Sequence, residues 1–165
     1  MNSPLINDDL IKAVTEYTKN MQNTVTFVVQ KGSHNKRPEL IAFLRSICTA
    51  SNMIEIEEAS LGNRLRSPIS FELKSNDEFS GVIFSGIPGG HEFNSLILAI
   101  LHCGGIDLKL DQGIQRLISE INDDLSFQVF VSLSCQNCPD VVQTLNKFSI
   151  INTNIKSETI DGGLF

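Results

Sequence analysis

Part of this chain is written twice. Displaced against itself by 101 residues, the segment 24–57 lies on 125–158 without a gap, matching Val28 with Val129, Pro38 with Pro139, Leu44 with Leu145, Ile54 with Ile155 and Glu57 with Glu158. Five identities weigh little; the order of local signals weighs more. In each copy an apolar, β-forming run (24–30; 127–133) precedes a polar loop, a helix with proline in its first turn (38–50; 138–150) and a returning strand (54–58; 155–160). That order is a βαβ unit, and a unit used twice in register predicts an α/β fold built from tandem copies. The copies differ where chemistry would sit. Cys135 and Cys138 fall opposite His34 and Arg37, so one copy carries a dithiol and the other has none.

The remaining elements fit between these. Leu10, Ile11, Val14 and Tyr17 recur at near-helical spacing after Asn7-Asp8-Asp9, a capping segment that puts carboxylates at the positive helix end. Residues 68–73 and 82–84 read as strands, and Ile87-Pro88-Gly89-Gly90 as a turn. Residues 91–102 form an apolar helix closed by Gly104-Gly105. Residues 111–121 place Ile114, Leu117, Ile118 and Ile121 on one helical face. The expected organisation is a first unit over 1–110, a linker helix over 111–124 and a second unit over 125–165.

Composition closes off several classes. With 41% hydrophobic residues the chain has material for a core, which excludes a disordered or fibrous protein. The net charge of -6 repels a phosphate backbone, and the densest basic segment, 31–37, reads as a solvated loop, so no nucleic acid is expected. The first nine residues show neither the charged nor the apolar region of a secretory signal, and the longest apolar run, 96–101, is too short to span a bilayer. Four cysteines without an export signal point to a reducing compartment, with the cytoplasm as default.

Ser134-Cys135-Gln136-Asn137-Cys138-Pro139 sits where a strand passes into a proline-started helix. Free N–H groups and the helix dipole stabilise a thiolate there, so Cys135 reads as the attacking thiol and Cys138 as the one that closes the disulfide. The competing readings are a structural disulfide and half of a zinc site, the latter needing two further ligands from Cys48, Cys103, His34, His91 or His102, none of which forms a second close pair. Cys48 and Cys103 read as inert helix-face residues. His91 and His102 read as capping groups at the ends of their helix.

Gly90-His-Glu-Phe-Asn-Ser-Leu-Ile-Leu-Ala-Ile-Leu, Ser132-Leu-Ser-Cys-Gln-Asn-Cys-Pro-Asp-Val-Val-Gln-Thr-Leu-Asn and Ile160-Asp-Gly-Gly resemble the N-terminal domain of the alkyl hydroperoxide reductase F subunit. The resemblance covers nearly the whole chain. It implies two fused thioredoxin-like units, the first without a redox pair. It also implies a thiol-disulfide relay that takes electrons from a flavin (FAD) and NADH reductase module and passes them to a disulfide of a peroxiredoxin, the family's C subunit. Carried over by motif, Cys135 is the interchange thiol, Cys138 its partner, and Glu92 a carboxylate beside the dithiol that can act as acid and base. Pro68 matches the first unit's version of the cis-proline loop. Gln136 stands where many relatives have histidine.

No G-x-G-x-x-G occurs, so no cofactor is expected on this chain itself. On the same template the second unit is expected to be incomplete at Phe165. Its strand 155–160 should then lack neighbours, leaving a first unit folded from about 8 to 105 and a second that is marginal by itself. A non-catalytic fragment or interaction module, and a zinc module, are the alternatives.

Overall fold

The structure, a computed structural model, describes residues 5–165; the N-terminal residues 1–4, read above as lacking a signal, lie outside the described residues. Asn7 accepts the N–H of Leu10 (2.9 Å) and opens α1 (Asp8–Thr18). There follow β1 (Val25–Gln30), α2 (Arg37–Cys48), β2 (Ile54–Ala59), β3 (Ser70–Ser75), β4 (Glu78–Ser85), α3 (Phe93–Cys103), α4 (Gln112–Ser119), β5 (Leu125–Val131), α5 (Cys138–Ile151) and β6 (Ile155–Asp161). Short 3-10 turns occupy Gly62–Arg64 and Gly90–Glu92.

The six strands form one sheet in the order β2-β1-β3-β4-β6-β5. Both βαβ units are present, as the repeat predicts, and both pair their strands in parallel. The ungapped offset fails in one strand, however. Val25 pairs with Ile54, whereas Leu125 pairs with Ile155, so the second unit holds one extra residue between its strand and its helix. A one-residue slip would turn every side chain of a strand to the opposite face. Val129 is therefore the counterpart of Val29, and its match with Val28 has no structural meaning.

The expectation that 155–160 lacks neighbours is also overturned. β6 lies between β4 and β5 and pairs in parallel with both, Val82 with Ser157 on one side and Phe127 with Ser157 on the other. The strand at the margin is β5, and its exposed residues include Phe130, at 58%. The two repeats thus share a sheet.

One face of that sheet carries the helices. Val25, Phe27 and Val29 of β1, Phe71 and Leu73 of β3, and Val82 and Phe84 of β4 pack with Leu40, Phe43, Leu44, Leu96 and Ile100 in a single apolar core. Phe71 is its centre, edge-on to Phe27 (5.6 Å) and stacked on Phe84 (5.5 Å). The core belongs to the first repeat. α5 packs beside it, on α3, β4 and β6.

The opposite face is strapped by the β2–β3 connection and held by charge. Arg64 makes a forked contact with the fully buried Glu72 (2.7–3.1 Å), and Arg66 does the same with Glu158 of β6 (2.7 and 3.1 Å). Glu158 also accepts from Ser85 of β4 (2.7 Å), so one carboxylate of the second repeat is bonded by two residues of the first. α4 is fastened differently: Asn152 Nδ2 donates to the carbonyls of Ile118 and Ile121 (2.8 Å each). Pro68 follows a trans peptide bond, like every described residue, which corrects the cis reading, and its ring fills the space beside Gly32.

The packing yields two expectations. Arg66→Ala removes a charged hydrogen-bond pair and should cost about 2 kcal/mol in urea denaturation. Amide exchange should accelerate in β6 and leave β1 unchanged; uniform acceleration would show that the two repeats do not open separately. His102, half-buried on α3, has its pKa lowered to about 4 by burial, with Lys147 adding to the effect and Asp107 opposing it. A depressed histidine contributes stability above its unfolded value near 6.5 that is lost as pH falls toward about 4. The wild-type minus His102→Gln difference in unfolding free energy should decline across that window, and a flat difference would contradict the assignment.

Candidate functional site

β5 ends at Val131, and the chain runs through Ser132-Leu133-Ser134 to the two cysteines at the mouth of α5. Proline in the first turn of α5 carries no N–H, and Asn137 makes no side-chain cap, so the amides there are open to another acceptor. The Cys138 N–H donates to Cys135 Sγ (3.2 Å). An N–H in that position is able to stabilise negative charge on the first sulfur once the disulfide is reduced. The two are disulfide-bonded with their Cα atoms 5.6 Å apart, and both are half-buried. Cys135 N–H donates to the Ser132 carbonyl (2.9 Å), closing the loop on itself.

The third residue singled out from sequence arrives from the first repeat. Glu92 lies in the 3-10 turn Gly90–Glu92 ahead of α3, not inside the helix that 91–102 suggested. The turn is docked on the dithiol loop: His91 N–H donates to the Leu133 carbonyl (2.9 Å). Gly90, at φ +55°, lets that carbonyl approach where any Cβ would stand 2.5 Å from it. This docking places Glu92 under the loop, fully buried, with neither carboxylate oxygen hydrogen-bonded within the protein. It lines a cavity of about 10 Å³ with Phe84, Pro88, Val131, Leu133 and Thr159.

Burial pushes the Glu92 carboxyl above its ordinary range, only partly eased by the nearby Ser95 hydroxyl and by His91. The Ser95 oxygen accepts from Gln143 Nε2 (3.2 Å), which leaves its own O–H turned to the neighbourhood of the carboxylate.

Cys48, Cys103 and His102 do not line the cavity at Glu92, whereas His91 belongs to the docked turn. Burial pushes the thiols of Cys48 and Cys103 up to about 12, which keeps them protonated and unreactive at neutral pH. Neither the His91 nor the His102 ring caps its helix by a hydrogen bond. Among the described residues no group of three or more His, Cys, Asp or Glu is placed to hold a metal ion.

In the first repeat the matching loop holds Arg37, whose guanidinium donates to the Gln30 carbonyl (3.0 and 3.3 Å) and to Glu58 (2.6 Å). A groove of about 690 Å³ runs past it, lined by His34, Ile41, Arg45 and Thr49. It is larger than the cavity at Glu92 but is lined by no cysteine. Sequence reasoning missed Thr159 and the Leu133 carbonyl. Strand alternation in 155–160, which sets Ser157 and Thr159 on one face, was the available signal for the former.

No protein-family model matches the chain. It is 42% identical over 161 residues to the F subunit of alkyl hydroperoxide reductase from Staphylococcus aureus (strain NCTC 8325), and 44% identical to its namesake from Staphylococcus epidermidis (strain ATCC 12228). Each match covers 98% of this chain and 31% of the relative, so the chain spans about a third of the length of the curated relatives it matches. Among solved structures it resembles the NTD_N/C domain of the Enterococcus faecalis (V583) alkyl hydroperoxide reductase, with TM-score 0.87 and 27% identity over 97% of this chain and 82% of that one. A protein disulfide oxidoreductase of Aeropyrum pernix shares the fold alone, with TM-score 0.73 and 15% identity over 92% of this chain and 74% of that one.

Above the raised pKa the wild-type carboxylate is a buried charge, and the stability present below the ordinary carboxylate range is lost as pH rises through the raised value. Glu92→Gln should therefore be more stable than wild type to urea at pH 8 and indistinguishable at pH 4, both read on oxidised protein. A variant less stable at pH 8 would show the carboxylate to be satisfied.

Proposed function

We propose, from the premise that this chain is homologous to the N-terminal domain of the alkyl hydroperoxide reductase F subunit, that it relays electrons by thiol-disulfide exchange from a reductase module to a peroxiredoxin disulfide. The observation that supports this reading most directly is the Cys138 N–H aimed at Cys135 Sγ in a half-buried disulfide at a helix mouth.

In the reduced state the Cys135 thiolate attacks one sulfur of the peroxiredoxin disulfide. A Cys135–peroxiredoxin bond forms and the second peroxiredoxin sulfur leaves as thiolate. Cys138 then gives its proton to the Glu92 carboxylate and attacks Cys135 Sγ, re-forming the intramolecular disulfide and expelling the remaining peroxiredoxin thiolate. Two electrons have passed to the partner, and the dithiol is oxidised. A carboxylate made more basic by burial is suited to taking a thiol proton, since its pKa is brought closer to that of the donor.

The electrons for the next cycle come, in this reading, from a flavin and NADH reductase module. This chain is not itself built to hold the flavin. It lacks the glycine-rich turn of a dinucleotide site, and the groove of about 690 Å³ in the first repeat is crossed by the Arg37–Glu58 pair. The cytoplasm is the compartment proposed; among the described residues no helix is long and apolar enough to cross a membrane.

Chemically pre-reduced chain, mixed with an oxidised peroxiredoxin, should reduce it stoichiometrically. Cys135→Ser should abolish transfer, and Cys138→Ser should accumulate a mixed disulfide visible on a non-reducing gel. Transfer retained in Cys135→Ser would reject the mechanism, and a mixed disulfide through Cys138 would reverse the roles.

A further inference from the structure

Six buried side-chain nitrogen and oxygen atoms have no hydrogen-bond partner among the described residues, and they belong to four residues: Glu92, Asn146, Ser157 and Thr159. All four lie where the second repeat meets the first, on the 3-10 turn, α5 and β6. The first repeat's apolar core has no such orphans among the described residues. Buried polar groups are seldom left unsatisfied, because each loses its hydration without replacement, so a cluster of them points to an internal ligand that supplies both donors and acceptors. Water is the ligand of that chemistry.

Two of the four share one cavity. Glu92 and Thr159 both line the space of about 10 Å³ beneath the dithiol loop, roughly the volume one water needs. Both carboxylate oxygens and the Thr159 hydroxyl are unpartnered, and Thr159 is only 4% exposed. Apolar side chains of Phe84, Ile87, Pro88, Val131 and Leu133 make up much of the remaining wall, so a water held there has few other polar side chains to bind.

We propose that a single buried water bridges the Thr159 hydroxyl and the Glu92 carboxylate, and that Thr159 is thereby a positioning residue that sets the proton affinity of Glu92. The water donates to the carboxylate, and Thr159 fixes it by accepting its other hydrogen or donating to its oxygen. Loss of the Thr159 hydroxyl removes the anchor of that water and leaves Ser95 as the hydroxyl near the carboxylate. The titratable and charged groups around Glu92 are His91 on its own turn, Asp161 of β6 on the cavity wall, and the cysteine pair on the loop above; Asp140, in the first turn of α5, is exposed and does not line the cavity. Thr159 adds no charge to this set, so its effect is separable from theirs. The consequence for catalysis rests on Glu92 being the proton acceptor proposed above, but the water site does not.

The test is a carboxyl ¹³C titration of Glu92 in the full 165-residue chain, with the resonance assigned through Glu92→Gln. Thr159→Val, which keeps the β-branched shape, should raise the Glu92 midpoint by about one pH unit, equivalent to one net hydrogen bond. Thr159→Ser, which keeps the hydroxyl, should restore the wild-type midpoint. An unchanged midpoint in Thr159→Val, or a serine variant that shifts as far as valine, overturns the proposal. Should the valine variant not fold, a high-resolution crystal structure of the wild type decides: one water within hydrogen-bond distance of both groups supports the site, and an empty cavity overturns it. These readouts involve no peroxiredoxin, so their failure is distinct from failure of the relay.

Discussion

The pairing of β4 with β6 is the contact on which everything else rests. It is parallel, it joins the last strand of one repeat to the returning strand of the other, and it makes a single sheet of what the sequence presents as two units. Because β6 is flanked on both sides, its backbone groups are satisfied without any further element. The pairing also shapes the candidate site. Only with β4 beside β6 does the turn leaving β4 reach Leu133, and only then does a carboxylate from the first repeat stand under a disulfide of the second.

The two faces of that junction are stabilised by different physics. On the strapped face Glu158 is bonded by Arg66 and Ser85, a charged arrangement in which each group has a partner. On the helix face the junction contains Glu92, Asn146, Ser157 and Thr159, whose polar atoms are buried without partners in the protein. An all-apolar seam would be the simpler way to join two repeats. Retaining an ionisable group in it costs stability, and a raised Glu92 pKa is the visible form of that cost. Such strain is located beside the dithiol and absent from the first repeat's core, which is where a proton acceptor would require it.

The repeats also show how one scaffold is made silent. In the first, the helix mouth holds Arg37, whose guanidinium spans the Gln30 carbonyl and Glu58 and ties strand, helix and neighbouring strand together. In the second, Cys138 occupies the matching place and its N–H is turned to a sulfur. The loop bearing the cysteines is longer by one residue, a difference invisible to an ungapped comparison because Pro38 and Pro139, Leu44 and Leu145 all lie beyond it. Strand pairing exposes it at once, since register decides which face a side chain takes.

The two βαβ units, nearly every element, and the closeness of Cys135 to Cys138 at a helix mouth were legible in the sequence. These depend on local causes: β-branched runs, proline in a first turn, and two thiols three residues apart at a helix start. Glu92 was legible only through resemblance, because a carboxylate ahead of a helix is ordinary from local chemistry alone. Long-range packing settled that β6 has two neighbours, that Pro68 is trans, that Glu92 is buried and unpaired, and that Thr159 shares its cavity. Most of these are contacts between residues far apart in the chain, where solvent exclusion rather than local preference sets the outcome, and no spacing along the sequence encodes what a side chain will be shut away from.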